Sequence, residues 1–304
     1  MDRFVEIELF VHTAELGTLS RAAEKLDISN AAASRHLAAL EARLGVRLVE
    51  RNTRRLSLTH AGHEFYARCK GVLASMADAE ASVNAALVEP TGTLTVTATV
   101  SFAMLHLAPL VPAFQKLYPG IKVKVIGANR YYDIMDSDID LAIRTREFEA
   151  DSSITIRRLA QTRRVLAASP KYLARRGVPA TVAALEGHDV LIYSHANHPN
   201  QMEFARGGER ASIKVQPTME SNDGQILRAA ALAGAGILVQ PKYIIYDDLV
   251  AGRLVPVLDD WDLPRLTINL AFQDRRYMPA KTRLFIDFLL EHFKASEYER
   301  YWTR

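Results

Sequence analysis

A chain of 304 residues is long enough for two or three folding units, and 49% apolar residues suffice to give each a core. Its formal net charge of +3 is too small to signal a nucleic-acid partner by its sum, so only locally placed charge can argue for one. A single cysteine, Cys69, excludes an intramolecular disulfide and a cysteine-built zinc site.

The charged opening Met1-Asp2-Arg3-Phe4-Val5-Glu6-Ile7-Glu8 is unlike a secretory signal, and no apolar run is long enough to span a bilayer, so a cytoplasmic location is expected. Ser20 to Leu26 reads as a short helix whose Ala22, Ala23 and Leu26 are small or apolar enough to sit close against a second one. Asp27-Ile28-Ser29 supplies a tight polar turn, and Ser29 is suited to cap the helix that follows. On that helix Ala33, Leu37, Leu40 and Leu44 recur at steps of four, three and four, laying one apolar stripe toward a core. The opposite face carries Asn30, Ala31, Ser34 and Arg35, short near the helix start, so the backbone could enter a major groove deeply. Two amphipathic helices joined by a turn would suit many proteins. Here Val46 to Glu50 and Arg55 to Leu58 alternate as strands directly afterwards, joined by Arg51-Asn52-Thr53-Arg54. A hairpin tipped with Arg51, Arg54 and Arg55 suits a phosphate backbone, and the combination is a winged helix-turn-helix.

The order Leu19-Ser20-Arg21-Ala22-Ala23, Ala32-Ala33-Ser34-Arg35, Leu40-Glu41-Ala42-Arg43-Leu44-Gly45, Glu50-Arg51 and Leu58-Thr59-His60-Ala61-Gly62 resembles the LysR-type transcriptional regulators without a gap. The resemblance puts Ser29, Asn30, Ala31, Ser34 and Arg35 at the recognition helix and Arg51, Arg54 and Arg55 in the wing. Many members have Gln at Asn30, Ser or Pro at Ala31 and Phe at Val49; the first two departures fall on the reading face.

From Thr59 the pattern turns helical again. Phe65, Cys69, Val72, Met76, Ala79, Val83 and Ala86 fall at alternating steps of four and three, a heptad seam, with Glu64, Lys70, Asp78, Glu80 and Asn84 off it. A helix of about 25 residues would extend roughly 37 Å. The resemblance makes it a dimerising linker with Phe65, Cys69, Val72, Met76, Ala79 and Val83 as its contacts. The alternative is that it packs within its own subunit.

Pro90-Thr91-Gly92 ends that helix, and strands then alternate with helices, which argues for parallel sheets covered on both faces. Strands are expected at Leu94 to Ala98, Ile121 to Ile126, Asp140 to Ile143, Arg163 to Ala167, Lys214 to Thr218, Ile237 to Val239 and Leu266 to Phe272, with helices from Ser101 toward Tyr118 and from Thr282 to Phe293. The region resembles the effector-binding part of the same family, which has the two-lobed α/β fold of periplasmic solute-binding proteins. Arg276-Tyr277-Met278-Pro279 and Arg283 to Leu289 look like a common ending in one large subgroup. The expected organisation is a winged helix-turn-helix over 1–62, a linker helix over 63–89 and an effector-binding domain over 90–304. Lobe 1 would hold about 93–162 and 267–304, lobe 2 about 163–266.

Ligands of open α/β lobes lie outside the carboxyl ends of strands, where helix N-termini present free amides. That places Ser101, Phe102, Asn129, Arg144, Thr145, Ser221 and Asn222 at the cleft, with Arg144 as the partner of a carboxylate. Phe102 is bulky there and Asp223 acidic, which speaks against a small bare dianion; Arg144 could instead be a surface arginine paired with Glu147 or Glu149. Asp136-Ser137-Asp138-Ile139-Asp140 with Glu147 imitates a calcium loop but has Leu141 where that loop needs glycine. His188, His195 and His198 lack metal-ligand spacing and read as surface residues, Gly234-Ala235-Gly236 reads as a helix end, and Cys69 reads as packing. The expectation is a sequence-specific regulator controlled by a small-molecule effector between the lobes, with no cofactor and no catalytic residue. Duplex DNA, further copies of itself as dimer or tetramer, and RNA polymerase are its expected partners. An enzyme or a solute-binding protein built on the C-terminal lobes is the alternative.

Overall fold

A computed structural model of the chain describes residues 2–52, 55–83, 90–129, 139–147, 154–273 and 278–304. Two compact units divide it, 1–88 and 89–304. Arg54, Asn84, Ala86, Asp136 to Asp138, Glu149, Arg276 and Tyr277 lie outside the described residues.

In the first unit, α1 (Arg3–Leu16) starts where the Asp2 carboxylate accepts the Phe4 N–H at 2.9 Å. Next comes α2 (Leu19–Lys25), capped by Thr18, and then α3 (Asn30–Leu44), whose cap Ser29 accepts the Ala32 N–H at 3.2 Å. Between them Asp27 takes φ 53°, a left-handed conformation that a short polar side chain tolerates. Ala22, Ala23 and Ala33 are buried with Leu9, so small side chains let α2 and α3 approach. Leu37 and Leu40 are buried against Phe10, Leu48 and Val49, whereas Leu44, on the same stripe, is exposed at the helix end. The wing pairs β1 (Val49–Asn52) with β2 (Arg55–Leu58) antiparallel, Val49 opposite Leu58. Thr59 Oγ1 accepts the Gly62 N–H at 2.9 Å and opens α4 (His60–Val83). A methyl on Gly62 would stand 2.1 Å from the Leu48 carbonyl oxygen, so this crossing of helix and wing requires glycine.

The expected seam of α4 divides here. Cys69 is buried in the first unit's core and Phe65 packs on it, its ring 5.5 Å from that of Phe10, with Tyr66 and Leu73 beside them. These two residues therefore serve their own subunit. Residues four apart on one helix face meet the core, while Val72 and Met76, rotated from that face, are 55% and 44% exposed. Ala79 and Val83 continue the same helix.

The second unit opens with β3 (Gly92–Ala98). The helix expected from Ser101 is four short pieces: α5 (Val100–Phe102), a π turn over Ala103–Leu107, a 3-10 turn over Ala108–Leu110, and α6 (Val111–Leu117). Pro109 and Pro112 withdraw two backbone donors and break the ladder. The stretch Val100–Leu117 has the length and hydropathy of a membrane span, yet it buries Phe102, Leu107 and Phe114 in the core of this unit.

There follow β4 (Ile121–Gly127), β5 (Leu141–Arg146), β6 (Ile154–Thr162), β7 (Arg164–Ala168), α7 (Pro170–Arg176), β8 (Val190–Tyr193), β9 (Gln201–Arg206) and β10 (Glu209–Lys214). The chain continues with β11 (Pro217–Ser221), α8 (Gly224–Leu232), β12 (Ile237–Pro241), α9 (Lys242–Val250), β13 (Val255–Pro256), β14 (Leu266–Gln273), α10 (Ala280–Ala295) and α11 (Tyr298–Thr303). One five-stranded sheet has the order β4-β3-β5-β14-β6 and the other β11-β8-β12-β7-β13, giving the two-lobed α/β architecture. Both sheets are mixed rather than parallel. The chain leaves the first sheet through β6 and returns through β14, which pairs antiparallel with both β5 and β6, and β12 pairs antiparallel with β7. One apolar cluster joins the lobes, running from Leu94, Val96 and Phe102 to Leu191, Leu227 and Leu238.

Candidate functional site

Each unit presents one site. On α3 the residues Asn30, Ala31 and Arg35 are exposed and Ser34 is half-buried, while Ser29, also exposed, spends its hydroxyl on the helix cap. Because the first turn carries short side chains, its backbone is open to close approach, and Arg35 projects one turn further on. The wing follows through a single carboxylate. Glu41 on α3 accepts the N–H of Leu48 at 2.8 Å and of Val49 at 3.1 Å through the same oxygen, fixing the root of β1 to the helix. Arg51 and Arg55 lie on the two wing strands, opposite Leu56 and Asn52.

In the second unit a cavity of about 590 Å³ lies between the two sheets. Thr99, Ser101, Asn129, Thr145, Arg146 and Glu147 form the wall from the first lobe. Ile192, Tyr193, Val239, Gln240, Tyr243 and Ile244 form the facing wall, with Gly224 at the start of α8. The loop from His195 to Glu203 borders it, as do Pro264 and Leu266 on the return crossing. Arg164 of the second sheet pairs with Glu147 of the first at 2.8 Å and donates to the Pro264 carbonyl at 3.0 Å. Burial pushes the Arg164 guanidinium down, and the neighbouring Glu147 carboxylate opposes that shift. Asn129 ties three segments together: its Oδ1 accepts the Val100 N–H at 3.2 Å, its Nδ2 donates to Asp223 at 2.7 Å, and its carbonyl lies 3.1 Å from His195 Nδ1.

Of the cleft residues expected from the sequence, Ser101, Asn129 and Thr145 line this cavity, and Phe102, Arg144, Ser221 and Asn222 do not. Phe102 is buried among the rings of His106, Tyr243 and Phe293, with centroids 5.5, 5.7 and 5.9 Å away. Arg144 precedes Thr145 on β5 and is buried opposite Asn269. Ser221 accepts the Asp223 N–H at 3.1 Å and so closes the turn before α8; Asn222 is exposed in that turn. His195 and His198, expected as surface residues, are exposed and also border the cavity. Sequence reasoning missed Gln240, although a lone polar residue in Ile237-Leu238-Val239-Gln240 is the signal that marks it. It also missed the Arg164–Glu147 pair, whose members lie on different sheets and have no spacing that announces them.

Two family models cover most of the chain. The bacterial regulatory helix-turn-helix protein of the lysR family matches residues 4–63, and the LysR substrate binding domain matches residues 88–294. The transcriptional regulator CrgA of Neisseria meningitidis serogroup B is 33% identical over 289 residues, covering 94% of this chain and 95% of the relative. The solved structure of CrgA, a LysR-type transcriptional regulator from Neisseria meningitidis, superposes with a TM-score of 0.62 at 32% identity, over 94% of this chain and 97% of the other. The full-length structure of the Vibrio cholerae virulence activator AphB gives a TM-score of 0.61 at 26% identity, over 94% and 98%.

Proposed function

The chain belongs to the LysR family of bacterial transcriptional regulators, with a DNA-binding helix-turn-helix and an effector-binding domain, and from that premise we propose how its residues divide the work. Asn30, Ala31, Ser34 and Arg35 read base edges in a major groove, and Arg51, Arg54 and Arg55 hold phosphates. The effector occupies the cavity between the lobes and shifts a pre-existing equilibrium, because a ligand moves only states that it binds differently. The protein acts in the cytoplasm as a homo-oligomer, without catalysis, and RNA polymerase is its partner at promoters. Copies meet along the later part of α4, through Val72, Met76, Ala79 and Val83.

The observation that carries this proposal is the exposed face of short side chains at the start of α3, set before a wing that the same helix holds in place. Genome-wide mapping of DNA bound by the wild-type protein and by Arg35→Ala tests it. Discrete sites that weaken in the variant support the assignment. Each lost base contact corresponds to about 1–3 kcal/mol. Identical occupancy by both proteins removes Arg35 from the reading face.

A further inference from the structure

Three polar groups withdrawn from water on the wall of the interlobe cavity are uncharged. Gln240 is 1% exposed on β12, and its Nε2 has no hydrogen-bond partner among the described residues. The same holds for the buried Oγ1 of Thr145, on the opposing lobe. Ser101, 2% exposed, completes the group from the first lobe. A methyl built on Gly224 would lie 3.0 Å from Gln240 Oε1 and 3.1 Å from Ser101 Oγ, so the bare backbone of this glycine keeps open the point where the two lobes bring a carboxamide and a hydroxyl together. A buried donor left without a partner is costly, and all these groups border one cavity.

Arg164 is held by Glu147 and the Pro264 carbonyl, Arg144 is off the wall, and Arg146 does not lack a partner. A dianion set against Gln240, Thr145 and Ser101 would give up its hydration without gaining a matching charge from those groups. Ile192, Val239, Pro241 and Leu266 add apolar surface to the same cavity.

We propose that the effector is an uncharged polar organic molecule, with hydroxyl or carboxamide groups on one edge and an apolar body. Its polar edge sits against Gln240, Thr145 and Ser101, above Gly224. This rests on the assignment of the cavity as the effector site, and it replaces the carboxylate that the sequence had suggested.

The test compares two probes of similar size on the full-length protein by saturation-transfer NMR with titration. One is 2-hydroxybenzamide, neutral at pH 7 with its hydroxyl and carboxamide on one edge; the other is phthalate, a dianion with both carboxylates on one edge. The neutral probe is expected to bind, Gln240→Met and Thr145→Val each to weaken it tenfold or more, and phthalate to bind at least tenfold more weakly. Thermal melting establishes that each variant is folded. Tighter binding of phthalate, failure of 2-hydroxybenzamide to bind, or unchanged affinity in Gln240→Met overturns the proposal. Ala196→Trp, which fills the cavity from its bordering loop, separates the two levels of inference. Phthalate that binds more tightly than the neutral probe and is lost in Ala196→Trp overturns the ligand class and leaves the cavity as the site, whereas binding of the neutral probe that survives Ala196→Trp overturns both.

Discussion

His106 shows how one residue couples burial to pH. It sits in the π turn with its ring 4.8 Å from Trp302 and 5.5 Å from Tyr298, and its Nε2 lies 3.3 Å from the Tyr243 carbonyl. Burial pushes its pKa down, against smaller opposing effects of that carbonyl and of Asp247, so the ring is neutral at pH 7 and Nε2–H donates. In the unfolded chain the group titrates near its ordinary value of about 6.5. As pH falls below that value the unfolded state takes up the proton first, and stability is lost until the folded group also protonates. His106→Phe keeps an aromatic ring and removes the titration. It should cost about 1 kcal/mol at pH 7.5 through the lost hydrogen bond, yet lose less stability than wild type as the pH falls below about 6.5. Urea unfolding followed by tryptophan emission measures this, because Trp261 and Trp302, the only two tryptophans, both lie in the second unit. An unchanged pH slope would show that His106 is not the group responsible.

Among the elements, α3 and the wing form a coupled pair because Glu41 holds two backbone donors of the wing root. Glu41→Ala leaves both N–H groups short of an acceptor and should cost about 1–3 kcal/mol in the first unit. If the wing carries phosphate contacts, their loss should make the salt dependence of DNA binding shallower by roughly one to two contacts, with base preference unchanged. Isotherms on target and scrambled duplexes over a salt series measure both, and a changed preference with an intact slope would reverse the assignment. On α4 the division of faces makes a second pair of outcomes. Met76→Glu, on the outward face, should weaken self-association in analytical ultracentrifugation while the unit stays folded. Cys69→Glu, in the core beside Phe10 and Leu73, should unfold that unit. Wild-type association in Met76→Glu removes the outward face from the contact.

For the second unit as a whole, the two sheets are joined by shared apolar packing and by polar links around the cavity. The Arg164–Glu147 pair is the charged one, with both side chains mostly withdrawn from water, at 19% and 28% exposure. Glu147→Gln leaves the Arg164 cation without its carboxylate. A fully buried pair broken in this way loses about 3–5 kcal/mol, and partial solvent access reduces the expectation to about 2 kcal/mol. Urea unfolding read by tryptophan emission at pH 7.5 gives the value. A change below about 0.5 kcal/mol would mean that solvent already screens the pair.

The primary sequence determined what repeats locally: the caps at Ser29 and Thr59, the apolar steps of α3, the alternating wing strands and the succession of β and α segments that yields two lobes. Such features follow from periodicity and backbone chemistry within a few residues, so a linear reading recovers them. It could not decide which face of α4 stays with its own core, because a heptad pattern is the same whether its partner is Phe10 or another chain. Nor could it choose among residues near a strand end. Ser101 and Phe102 are neighbours, as are Arg144 and Thr145, and in each pair only one lines the cavity. Packing around the cavity sets that choice, and the return of β14 brings the lobes together so that Gln240 and Gly224 face Ser101. Contacts between residues more than a hundred positions apart leave no spacing to read, and only the folded chain creates them.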